Sequence, residues 1–187
     1  MAPTQALERW HDFYVLVGTA AATLVALLFV AISLGAGFLS AERTAPTRAF
    51  FSPIIVHFTA ILMASALALA PEHAGSVVSV VIAAIAIVGL PISLFSTVQL
   101  LRNRWTSYLQ DYLCYGVLPA ICYAVLLIAA WMIFMDNDAA LDSLAAALLC
   151  LLAINIRNAW DLTLSMVHHQ TEREQAKRRR VTRSKRR

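Results

Sequence analysis

Residues 77–101, VVSVVIAAIAIVGLPISLFSTVQLL, run for 25 positions without a charged side chain. A helix needs about 20 mostly apolar residues to cross a hydrocarbon core about 30 Å thick. This stretch therefore predicts a membrane span. Pro91 inside it deletes one backbone hydrogen bond and is expected to kink the helix, which membrane helices tolerate when neighbours satisfy the freed carbonyl.

The rest of the chain agrees with that medium. Of 187 residues, 60% are apolar and 14% charged, with a mean hydropathy of +0.69. A soluble domain has about 45–50% apolar and about 25% charged residues. A globule of this size has too little interior to hide the excess, so a soluble protein is excluded.

Working outward, four further segments qualify as spans. The first covers about 13–39 and the second about 53–70, with Ser52 as a cap, Pro53 at the first helical position and Pro71 as a stop. The Gly75-Ser76 pair opens the third, at 77–101. The fourth covers about 112–135. The fifth covers about 140–167, with Asp138 as its cap and Asp142 in a first turn that favours negative charge. The predicted fold is an all-α, polytopic bundle of five transmembrane helices over residues 1–170, followed by a basic, disordered tail over 171–187. No repeat of 20–50 residues appears, and five spans do not divide into inverted halves.

Glu8, Arg9, His11 and Asp12 mix both signs before the first apolar run, which argues against a cleaved secretory signal. Orientation follows from the loops. Arg43, Arg48, Arg102, Arg104 and the whole basic tail fall on one side, and Arg9 faces the other with Glu72, Asp136, Asp138 and Asp142. Lysine and arginine favour the inner face, so the N-terminus is expected outside and the C-terminus inside. Trp10, Tyr14, Trp105, Tyr108, Tyr112, Tyr115 and Trp131 cluster near predicted ends, as interfacial aromatics do.

The stretch with most chemistry is Asn155-Ile156-Arg157-Asn158-Ala159-Trp160-Asp161, inside the fifth span. An Arg or Asp at a helix centre costs at least about 2.5–3.5 kcal/mol on insertion scales. Arg157 and Asp161 are four apart, so they share a helix face and are expected to pair. Counting depth brings His57, Ser96, Gln99, Ser33 and Asp111 to the same level, predicting an inward polar layer in the cytoplasmic half. Candidate site residues are Asn155, Arg157, Asn158, Asp161, His57 and Gln99. Three readings stay open: a structural ion pair fixing the fifth helix, an ion or proton pathway, or a pocket for a small molecule or lipid headgroup.

The weaker signals point to structure. A single histidine such as His57 is ordinarily a packing residue, and His168 and His169 suit a helix C-terminus. Cys114, Cys122 and Cys150 lie in apolar stretches with neither disulfide nor CxxC spacing. Gly18, Ala22 and Ala26, spaced by four, predict a helix contact face, with Ala31 and Gly35 further on. In the tail, Arg178, Arg179, Arg180, Lys185, Arg186 and Arg187 are candidate contacts to anionic lipids, at about 1 kcal/mol each near the surface. Without interleaved aromatics the run does not indicate nucleic acid. No HExxH, GxSxG, P-loop or GxGxxG pattern occurs, so no enzyme, cofactor or metal is expected.

The runs His11-Asp12-Phe13-Tyr14, Gly18-Thr19-Ala20-Ala21-Ala22 and Leu28-Phe29-Val30-Ala31-Ile32-Ser33, with Arg157-Asn158-Ala159-Trp160-Asp161, resemble a group of small bacterial inner-membrane proteins, some labelled "modulator of FtsH protease". The resemblance implies a larger membrane-protein partner, a quality-control protease, and carries over no site residues. A regulatory or interaction protein is the leading expectation. The alternatives are a homo-oligomeric channel or small transporter, and a lipid-binding protein.

Overall fold

The computed structural model describes the backbone of residues 3–35, 44–69, 75–103 and 109–184, and the side chains of 10–31, 33, 53–69, 75–102 and 109–164. Five helices account for it: α1 (Pro3–Gly35), α2 (Thr44–Leu69), α3 (Gly75–Asn103), α4 (Leu109–Phe134) and α5 (Ala140–Ser184). Among the described residues there is no strand. Helices α1, α3, α4 and α5 each contain a stretch long and apolar enough to cross a membrane, and α2 carries a shorter apolar stretch, Pro53–Leu69.

The five helices pack as a ring in chain order, closed by α5 against α1, with α2 also touching α5 across the middle. Each contributes a seam of buried residues at alternating steps of three and four, the period at which one face of a helix repeats. On α2 the seam is Ile54, Phe58, Ile61, Ser65 and Ala68; on α3 it is Ser79, Ile82, Ala86, Gly89, Ser93, Ser96 and Leu100. On α5 it is Leu144, Leu148, Leu151, Asn155, Asn158 and Leu162. The outward faces are no less apolar. Leu16 is 68% exposed, Val80 64%, Phe95 64% and Trp131 64%. An apolar exterior of this extent in water is an aggregation liability, whereas in lipid it is the compatible surface.

Several boundaries differ from those expected from the sequence. Helix α2 begins at Thr44, so Pro53 lies inside it and Ser52 is not its cap; one missing amide hydrogen does not stop a helix whose neighbours hold it in place. Helix α4 begins at Leu109, so Asp111 lies in its first turn rather than before it. In the turn leading into α5, Asn137 Oδ1 accepts from the Ala139 amide at 2.9 Å. The same turn is tightened by Asp136 at a φ of 52°, a conformation that a short polar side chain tolerates.

The largest difference is the end of α5. The backbone stays helical to Ser184, through most of the segment expected to be disordered. Residues 140–184 contain neither Gly nor Pro, and 171–180 are rich in Glu, Gln, Ala, Lys and Arg, all good helix formers. A helix already nucleated by packing extends through such residues at little cost.

Candidate functional site

The polar residues of α5 meet α4 at the end of the bundle where α3 finishes and α4 begins. There α4 does not run as a plain α-helix: Leu113–Val117 form a π-helical turn before α-geometry resumes at Leu118. A π-turn shifts the hydrogen-bond register by one residue and disturbs the carbonyl ladder around it. The Asn158 amide donates from Nδ2 to the Cys114 carbonyl inside that turn, at 2.7 Å. In return, the Tyr115 hydroxyl donates to the Asn158 carbonyl at 3.1 Å and approaches Asp161 Oδ2 at 3.2 Å.

Arg157 completes the clasp from the side. It pairs with Asp111 of α4 at 3.6 Å and reaches Asn158 Oδ1 at 3.4 Å. The expected Arg157–Asp161 pair within α5 is therefore replaced by pairing across to α4, where Tyr115 takes up Asp161. Side-chain exposures of 37% for Arg157 and 21% for Asp111 put this ion pair at the side of the bundle. The bonds of Tyr115 and Asn158 are interior, and those are the ones that fix the two helices.

A second polar contact lies deeper. His57 of α2 is 1% exposed, and its Nδ1 shares a 2.8 Å hydrogen bond with the hydroxyl of the fully buried Tyr123 of α4. Gly89 of α3 makes this contact possible, because a Cβ there would fall inside the Tyr123 ring. Gly116 plays the same part in the π-turn: its missing Cβ would sit against the Thr97 side chain and 3.0 Å from the Thr97 Cα. Close α3–α4 approach thus depends on two glycines, as small residues permit in membrane bundles.

The expected layer is only partly gathered. His57, Asn155 and Asn158 are buried, Ser96 is buried and bonded to the Ile92 carbonyl, and Gln99 is half-buried near the end of α3. Asp161 is exposed, and Ser33 faces outward with its hydroxyl on the Phe29 carbonyl, so neither faces inward as expected. Tyr14 and Tyr115 are buried and hydrogen-bonded to α5. Sequence reasoning misses Tyr123; a tyrosine about ten residues inside an apolar run is the signal that could have found it.

The α1 small-residue face also divides. Gly18 packs on Ser65, where a Cβ on the glycine would lie 3.1 Å from the Ser65 Cβ, while Ala22 and Ala26 are not buried with it. Cys122 is buried, Cys150 exposed and all three cysteines are free. Among the described residues no group of His, Cys, Asp or Glu could hold a metal. The backbone at Arg178, Arg179 and Arg180 is helical, but their side chains, those of His168 and His169, and the whole of Lys185, Arg186 and Arg187 lie outside the described residues.

No protein-family profile, curated protein or solved structure matches this chain.

Proposed function

We propose that this chain is a five-span protein of the bacterial cytoplasmic membrane, N-terminus out and C-terminus in, acting as a non-enzymatic interaction or regulatory protein. The class of partner is a larger membrane protein, with a quality-control protease as the leading example.

The observation that carries this reading is the clasp. Asn158 and Tyr115 bond to each other's helices, Arg157 pairs with Asp111, and Asp161 meets Tyr115. Of the groups that would line an ion pathway, Asn158, Asp161 and Arg157 are instead closed on protein partners. That arrangement favours a rigid bundle whose working surface is its outside. Helix α2 is central: it touches α1, α3 and α5, and few of its described side chains face outward. The acidic α4–α5 turn, with Asp136 and Asp138 exposed, suits the outer side, and the basic end of α5 suits the inner side and anionic lipid.

The test is the mass of the native, detergent-solubilised complex together with ion flux in liposomes holding the purified chain alone. The proposal predicts a co-purifying larger membrane protein and flux no higher than in empty liposomes. Flux that changes with Asp161→Asn would replace it with a channel. Retained anionic lipid that disappears with Arg157→Ala, without any protein partner, would replace it with a lipid-binding role.

A further inference from the structure

Among the described residues, three side chains in the core keep polar atoms without a hydrogen-bond partner: His57 at Nε2, Asn155 at both Nδ2 and Oδ1, and Ser65 at Oγ. His57 and Asn155 are 1% and 0% exposed. Leaving such a group unpaired in a core incurs its desolvation penalty with nothing to offset it, and the orphaned atoms of His57 and Asn155, at neighbouring levels of the bundle, call for a common occupant.

Two separate routes bring these two residues to one level. Tyr14 of α1 donates to the Leu141 carbonyl of α5, and Gly18 of α1 faces Ser65 of α2. Counting four residues down α1, then eight along α2 from Ser65 to His57, sets His57 level with about Ala153 of α5. The second route starts at the clasp, where Tyr115 meets Asn158. Eight residues along α4 lies Tyr123, level with about Cys150, and its hydroxyl contacts His57. At 1.5 Å per residue, both routes leave His57 roughly 3–8 Å along the axis from Asn155. Helices α2 and α5 are in contact, so the two buried residues stand on adjoining helices at neighbouring levels.

The chemistry on the two sides is complementary. With Nδ1 taken by Tyr123, Nε2 either carries the ring proton and needs an acceptor, or bears a lone pair and needs a donor. Asn155 needs both a donor and an acceptor. A molecule that donates and accepts at once satisfies either tautomer, and one or two waters span the gap. A bound cation suits the site poorly: Asn155 Oδ1 and Tyr123 Oη are its oxygen donors, and the carboxylates of Asp111 and Asp161 belong to the clasp, further along α4 and α5.

We infer that His57 and Asn155 form a buried hydration site, holding one or two waters between α2, α4 and α5. Interior waters of this kind make about three hydrogen bonds each. The site is a hydrogen-bonded joint between three helices that does not depend on what the outside of the bundle binds.

Water-edited solid-state NMR on the full-length protein in bilayers tests this, with ¹⁵N on histidine rings and asparagine amides. Magnetisation starting on water is expected to reach the His57 ring and the Asn155 amide about as fast as it reaches exposed His11. Asn155→Leu is expected to slow the transfer to His57 several-fold. The unsubstituted protein carries the main readout, so a poorly folding variant does not leave the question open. Transfer to both groups several-fold slower than to His11, or a direct His57–Asn155 coupling, would overturn the inference. So would an Asn155 signal that shifts when sodium is exchanged for choline, which would mark a cation.

Discussion

At residue scale the bundle turns on contacts between groups that are distant in sequence. Gly89 lets Tyr123 reach His57, since any Cβ at that position meets the ring. Gly89→Ala is therefore expected to destabilise the protein by about 1–3 kcal/mol, as overpacking does. Tyr123→Leu in the same chain should relieve most of the clash, so the two substitutions should couple strongly in thermal unfolding in detergent. Additive effects would mean that the ring does not occupy that space. The polar residues of α5 were legible because amides and charges stand out in an apolar helix. Their partners were not. Sequence spacing favours Asp161 for Arg157 because four residues make about one turn, whereas Asp111 comes near only once α4 has folded alongside. Tyr115 near a helix end has the signature of an interfacial ring, and nothing local distinguishes it from one that is buried.

At the scale of elements, hydropathy locates all five helices but not their ends. Apolar runs stop where lipid stops, while hydrogen-bonded backbone continues until a turn intervenes. Helix α2 therefore starts nine residues before Pro53, and α5 runs on from its apolar part to Ser184. The π-turn in α4 was not legible either, because its stabilising partner, the Asn158 amide, comes from another helix. The α5 extension can be measured directly. Spin labels at Leu164→Cys and Ser184→Cys, in a background without the native cysteines, lie 20 residues apart. A continuous helix predicts a narrow distance distribution near about 30 Å. A broad distribution would return the tail to disorder. Adding Ala176→Pro to the labelled pair should broaden a narrow distribution, because proline in a helix interior costs about 3 kcal/mol or more.

At the scale of the whole molecule, the decisive fact is that both surfaces of the helices are apolar, one packed and one exposed. Composition made the medium legible from the start, since no core of this size could hide so many apolar residues. The ring order and the central place of α2 were beyond it, because alanine- and leucine-rich seams fit one another in many arrangements, and only polar contacts such as His57–Tyr123 and Asn158–Cys114 select one. That lipid surrounds the bundle is the claim on which the rest depends. A nitroxide scan along α3 in proteoliposomes tests it most directly. Labels at the outward positions Val80, Ile87 and Leu94 should collide often with oxygen and rarely with an aqueous nickel complex. Labels at the inward positions Ile82, Ala86 and Ser93 should be shielded from both. A nickel complex that reached Ile87 as readily as an exposed loop would contradict the account.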